Sequence, residues 1–164
     1  MGKAKRLLLL RHAKSSWDDP TLADHDRPLA ARGRKAAQLI GAYLRRERIP
    51  VSLVLCSSAR RARETLELVD PPGEKQIEPE LYGASADQLL ERVRQLPETS
   101  DSVMLIGHNP AIQELAACLA DDELAEQKFP TGALAMLTFA GPWRALQAGS
   151  AGLAAFVKPR ELGG

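Results

Sequence analysis

Short apolar runs alternate with amphipathic stretches along this chain, and the alternation reads as strand followed by helix. Residues 7–10 are four consecutive leucines, the pattern of a strand buried on both faces of a sheet. Residues 28–48, PLAARGRKAAQLIGAYLRRER, place Leu29, Ala36, Ile40, Tyr43 and Leu44 at helical spacing, with Pro28 at the start and Pro50 beyond the end. Gly33 and Gly41 are unfavourable inside such a helix. Residues 51–56 form a second strand, rich in branched apolar side chains. Ser57 and Ser58 then cap a helix to about Val69, which Asp70-Pro71-Pro72-Gly73 stops. A weak extended segment covers 75–81, and 85–96 reads as a helix capped by Ser85 with Leu89, Leu90 and Val93 inward. Residues 102–107 are the third strong strand, followed by Asn109 as cap and Pro110 in the first turn of a helix through about Leu119. After an acidic stretch, 133–139 and 152–159 read as strands joined through Gly141-Pro142 and Gly149, a hairpin.

That order predicts an α/β fold, a three-layer α/β/α sandwich whose sheet is mostly parallel with an antiparallel strand at one edge. With 164 residues and 45% hydrophobic content, the whole chain, 1–164, is expected to form one domain around a sizeable core. The 22 basic and 21 acidic residues leave a net charge of +1, which argues against nucleic acid or an anionic membrane as the main partner. Cys56 and Cys118 are too few for a disulfide framework, and both sit among apolar residues as buried free thiols would. No run is long enough to span a membrane, and the apolar run ending at Arg11 is too short for a signal peptide, so a cytoplasmic monomer is expected.

Chemistry concentrates where the three strongest strands end. The first delivers Arg11 and His12, the second Ser57, Ser58 and the arginines 60, 61 and 63, and the third His108. In a parallel sheet those ends share one edge, where open α/β sheets build their sites. Two histidines, two arginines and two helix N-termini suit a doubly charged tetrahedral anion. A histidine within such a site can also attack phosphorus and carry the phosphoryl group covalently. A cysteine-phosphatase arrangement fails on spacing, because the position its arginine should occupy relative to Cys56 is Ala62. No pair among His12, His25 and His108 has the spacing of a helix-borne metal site, so neither metal nor other cofactor is expected.

Three stretches carry a family resemblance. LLLLRHAKSSW resembles the Arg-His-Gly motif of the histidine phosphatase superfamily, the phosphoglycerate-mutase-like fold; SSARRARETLE resembles its second motif and LIGHNP its third. The resemblance spans roughly residues 5–157, and is closer to the SixA-type phosphohistidine phosphatases, which share an RHAKS-W opening, a D-x-R-P-L segment (Asp26 to Leu29) and a GHNP box. It implies His12 as the nucleophile that becomes phosphorylated, Arg11 and Arg61 as grips on phosphate oxygens, and His108 completing the pocket. Arg61 rather than Arg60 matches the family, because Ala62 follows it directly and Thr65 stands four residues on. Ser15 aligns with a hydroxyl that contacts phosphate in larger members, while Ser57 could support the pocket or merely cap a helix.

Two positions depart from the superfamily. Ala13 stands where Gly is usual, and an alanine does not adopt positive φ freely. The proton-donating Glu of the segment resembling PELYGAS falls on Gly83, which has no proton to give. Glu80 and Asp87 lie nearby as alternative acids or as solvated surface residues. An ester leaves as an alkoxide unless it is protonated, whereas a phosphoramidate has a labile P–N bond and a better leaving group. The implied function is a phosphohistidine phosphatase working through phospho-His12. A phosphomonoesterase acting on a small phosphate ester, and a non-catalytic phosphate-binding module, remain the alternatives. No long insertion is visible, and an open site suits a phosphorylated protein side chain, with a small phosphorylated molecule as the other candidate.

Overall fold

The computed structural model describes residues 4–120, 124 and 127–163. Six strands form one sheet: β1 (Lys5–Arg11), β2 (Leu53–Ser57), β3 (Glu74–Glu78), β4 (Ser102–Gly107), β5 (Leu134–Phe139) and β6 (Gly152–Val157). Their order is β3-β2-β4-β1-β5-β6, and the pairs β3–β2, β2–β4 and β4–β1 are all parallel. The departure from parallel is the β5–β6 hairpin at one edge, where β5 runs antiparallel to both β1 and β6. The expected α/β sandwich is therefore present, and its antiparallel strand lies one place in from the edge. Most of the acidic stretch after the last helix lies outside the described residues.

Side-chain alternation sorts the central strands onto two faces. Leu7, Leu9, Leu53, Leu55, Val103 and Leu105 join the core beneath α3 (Ala86–Arg94) and α4 (Ala111–Leu119). Leu8, Leu10, Val54, Cys56, Met104 and Ile106 join the opposite core, beneath α1 (Ala31–Arg46) and α2 (Arg60–Val69). Both faces are covered, which is why these strands read as continuous apolar runs.

Element ends show where the hydrophobic pattern alone leaves a choice open. Helix α2 begins after Ala59 rather than on a serine cap, although Ser57 Oγ accepts from the Ala59 N–H. Asn109 lies two residues before α4, ahead of the Pro110 N-cap, and its Oδ1 accepts from the Gln113 N–H. Ser85 and Gln88 form a reciprocal capping box on α3. The segment 75–81 is strand only to Glu78 and then closes in a 3-10 turn over Pro79–Leu81. Gly33 has a packing reason: a Cβ there would collide with the backbone of Lys14, so α1 packs directly on the loop after β1. Cys56 is buried, but Cys118 is exposed on the outer side of α4, contrary to the expectation for both thiols. A cysteine among apolar residues on an amphipathic helix can face either way.

Candidate active site

The parallel register brings the three sequence-distant loops together. Arg11 is level with Gly107 across β1–β4, and Cys56 is level with Ile106 across β2–β4. The next residues along each strand, His12, Ser57 and His108, therefore emerge side by side. The His12 and His108 rings lie 5.1 Å apart between centroids, tilted by 53°.

His12 is held in one orientation. It is buried, and its Nδ1 lies 2.7 Å from the Ala13 carbonyl oxygen, which can only accept, so the proton sits on Nδ1 and the Nε2 lone pair is free. Burial pushes its pKa down to about 3, with the charges of His108, Arg61 and Arg11 adding to the effect against the Ala13 carbonyl. Ala13 causes no strain: its φ is not positive, it is wholly buried, and its N–H donates to Thr65 Oγ1 at 3.0 Å. Thr65 in turn donates to the Arg61 carbonyl at 2.7 Å, tying the His12 loop to the first turns of α2.

His108 Nε2 lies 2.7 Å from Ser57 Oγ. Ser57 Oγ also accepts from the Ala59 N–H, and donation of its hydroxyl proton to His108 Nε2 would place the ring proton on Nδ1. That Nδ1 is buried without a hydrogen-bond partner, as is Arg11 Nε. Orphaned buried polar groups are costly unless a partner visits them. Burial is also the main cause that lowers the His108 pKa to about 4. Ser57 thus contacts His108 and the backbone N–H of Ala59, just ahead of α2.

Arg61 is buried and donates to the Asp24 carbonyl at 2.7 Å and to Asp24 Oδ2 at 3.0 Å. Arg60 instead pairs with Glu64 at 3.1 Å on the outer side of α2. Arg11 donates to the Phe129 carbonyl at 3.0 Å. Ser15 accepts a hydrogen bond from Arg27, and Arg27 also reaches Asp24 Oδ1 at 2.9 Å and the Ser16 carbonyl at 3.1 Å.

Asp24, Arg27, Tyr82 and Thr65 are the site members that sequence reasoning missed. Asp24 is the hub. The Tyr82 hydroxyl, then Arg61 and Arg27, hold its carboxyl far below the usual carboxylate range, so it is an anion clamping two arginines. Tyr82 stacks edge-on against both His108 and His25, at 5.5 and 4.8 Å between centroids. Trp17 is 76% exposed, with the Arg27 guanidinium 3.2 Å over its ring, so it stands on the rim and not in the core. The available signals were the density of Asp, His and Arg in 24–27, the D-x-R-P-L segment that holds Arg27, and the place of Thr65 four residues after Arg61. The contacts those residues make are decided by the turn at Asp24–Asp26.

Near the departed acid position, a Cβ built on Gly83 meets nothing within 4 Å. Gly83, Tyr82, His108, Asn109 and Glu114 line a cavity of about 290 Å³. Glu80 and Asp87 are exposed; Glu80 lines a separate cleft with Glu78 and Arg92, and Asp87 lies in the first turn of α3. Neither takes the place of the missing acid beside His108.

A model of the histidine phosphatase superfamily (branch 1) matches residues 7–82. An uncharacterized protein of Mycobacterium tuberculosis is 39% identical over 159 residues, covering 92% of this chain and all of that protein. The putative phosphohistidine phosphatase SixA from Nakamurella multipartitia superposes with a TM-score of 0.88 at 32% identity, over 96% of this chain and 98% of that one. The chain belongs to the histidine phosphatase superfamily. Phosphohistidine phosphatase SixA of Escherichia coli is a more distant relative, 29% identical over 81% of this chain and 84% of its own. A SixA structure complexed with tungstate superposes with a TM-score of 0.82 at 26% identity, over 96% of this chain and 99% of that one. The fold is that of the phosphoglycerate-mutase-like enzymes, and the protein is a histidine-type phosphatase. Among the described residues no helix is long and apolar enough to cross a membrane.

Proposed function

We propose that this enzyme is a phosphohistidine phosphatase acting through a covalent phospho-His12 intermediate. The observation that carries the substrate reading is at position 83, where the side chain that would protonate an ester leaving group is absent and Gly83 leaves open space. An enzyme with no acid at that position favours a leaving group that departs without its proton. A phosphohistidine side chain protonated on its distal ring nitrogen leaves as neutral imidazole.

The steps are consistent with the geometry. Neutral His12 attacks phosphorus through Nε2, a P–N bond forms, and the P–N bond to the substrate imidazole breaks, its electron pair going to the departing nitrogen. His12 keeps its Nδ1 proton, and the Ala13 carbonyl stabilises the cationic phospho-imidazole. Arg11, Arg61 and the His108 Nδ1–H supply donors to the phosphoryl oxygens, with Ser15 as a further contact made through the Arg27 cluster. Water then bonds to phosphorus and the electron pair returns to Nε2, releasing inorganic phosphate with both protons of the water. No metal takes part.

The test offers the purified protein a phosphohistidine peptide, phosphoserine and phosphotyrosine peptides and sugar phosphates, each with and without a chelator. The expected result is release from phosphohistidine, insensitive to chelation. Release confined to the esters, or loss of activity on chelation, overturns the reading. His12→Ala is expected to lose about 10⁴-fold in kcat, and to trap no acid-labile phosphoenzyme in the quenched-flow assay.

A further inference from the structure

Beside the His12 loop lies a second cavity of about 400 Å³, and its lining is unusual in charge. Lys14, Arg32, Lys35, Lys158 and Arg160 surround it, over a floor that includes Ala36, Leu39, Pro130 and Pro159, and no acidic side chain lines it. Among the described residues none of these five cations takes part in an ion pair. Four of them are exposed and Lys158 is half-buried. The chain as a whole is nearly neutral, with 22 basic and 21 acidic residues, so five unopposed cations in one groove are a local concentration and not a general excess.

The groove borders the loop that follows His12. Lys14 is two residues from His12, and Thr131 on the opposite wall precedes Gly132, whose N–H donates to the carbonyls of both Arg11 and His12. Whatever lies in the groove therefore lies beside the loop that follows His12. Like-charged side chains crowded in this way repel one another unless an anion is shared between them.

We propose that this groove docks an acidic segment of the phosphorylated protein whose side chain enters the active site. That the docked protein is the substrate rests on the phosphohistidine reading; the binding of an acidic segment does not. Charge complementarity selects the occupant, and the apolar floor suits the stems and backbone of an extended peptide. A nucleic acid strand is disfavoured, because no aromatic side chain lines the groove to stack a base.

The experiment pairs Lys35→Glu/Arg160→Glu, two exposed side chains remote from the chemistry, with the wild-type protein. Fluorescence anisotropy first measures binding of a labelled, unphosphorylated Glu/Asp-rich peptide. The wild type is expected to bind it about 10-fold or more tightly than the variant at low salt, with the difference collapsing at high salt. Turnover is then measured on phosphohistidine peptides with acidic or with Gln/Asn flanks, and on a small phosphoramidate. The wild type is expected to prefer the acidic peptide through KM and the variant to lose that preference, while both hydrolyse the small phosphoramidate equally. Equal peptide binding by the two proteins overturns the proposal, as does tighter binding of an oligonucleotide of matching charge. If no phosphohistidine substrate is turned over but the anisotropy separates the two proteins, the docking groove stands and the substrate reading falls.

Discussion

His12 and His108 are neutral because they are buried among cations, and that condition couples catalysis to stability. The native pKa values of about 3 and about 4 lie below the ordinary histidine value of 6.5, so between those limits the unfolded chain binds protons that the folded one refuses. Their contribution to stability is complete above pH 6.5 and is lost as the pH falls toward 3. Thermal melts of His12→Ala and His108→Ala are accordingly expected to show a shallower fall of Tm across that window than the wild type. Thr65 tests the support of His12, the proposed nucleophile. Thr65→Val keeps the volume but leaves the buried Ala13 N–H without its acceptor and frees the Arg61 carbonyl. A loss of about 1–3 kcal/mol is expected by denaturant unfolding, together with a lower kcat, since Ala13 also orients the His12 ring.

At the scale of elements, the site depends on the loops at the strand ends more than on the strands themselves. The turn between β3 and α3 places Tyr82 against His108 and Asp24 and leaves position 83 open. Because an added Cβ there meets nothing, Gly83→Glu is expected to fold with an unchanged Tm. A carboxyl group introduced at that point lines the cavity shared with His108. It is expected to raise kcat/KM on an alkyl phosphate ester by about 10²-fold, the usual scale of general-acid assistance, with little change on phosphohistidine. A variant that folds and gains nothing on the ester would detach the missing acid from substrate choice.

Across the whole molecule, the pocket is a junction of three strand ends and two helix starts. Filling it with a tetrahedral dianion ties β1, β2 and β4 together through Arg11, Arg61 and His108. Tungstate at 100 times its Kd is therefore expected to stabilise the fold by about 2.7 kcal/mol, read as a rise in Tm of several degrees. His12→Ala should retain most of that rise and Arg61→Ala should lose it, separating anion binding from chemistry. The same loops border the basic groove, whose proposed acidic occupant would extend anion recognition beyond the phosphoryl group.

The apolar runs at 7–10, 51–56 and 102–107, each giving way at once to polar chemistry, determined by themselves that the chain makes a mostly parallel α/β sheet with its histidines and arginines gathered at one edge. Hydrophobic period and strand-end position are local properties, and a motif of adjacent residues such as Arg11-His12 is local too. The contacts of Asp24, the exposure of Trp17 and Cys118, and the reason for Gly33 were not legible, because each depends on a neighbour remote in sequence. Asp24 finds Arg61 only once α2 packs beside the turn at Asp24–Asp26, and Lys14 meets Arg160 across one groove only once β6 returns to the sheet. Periodicity fixes which face of an element is apolar; only packing decides which charged side chains are left without a partner.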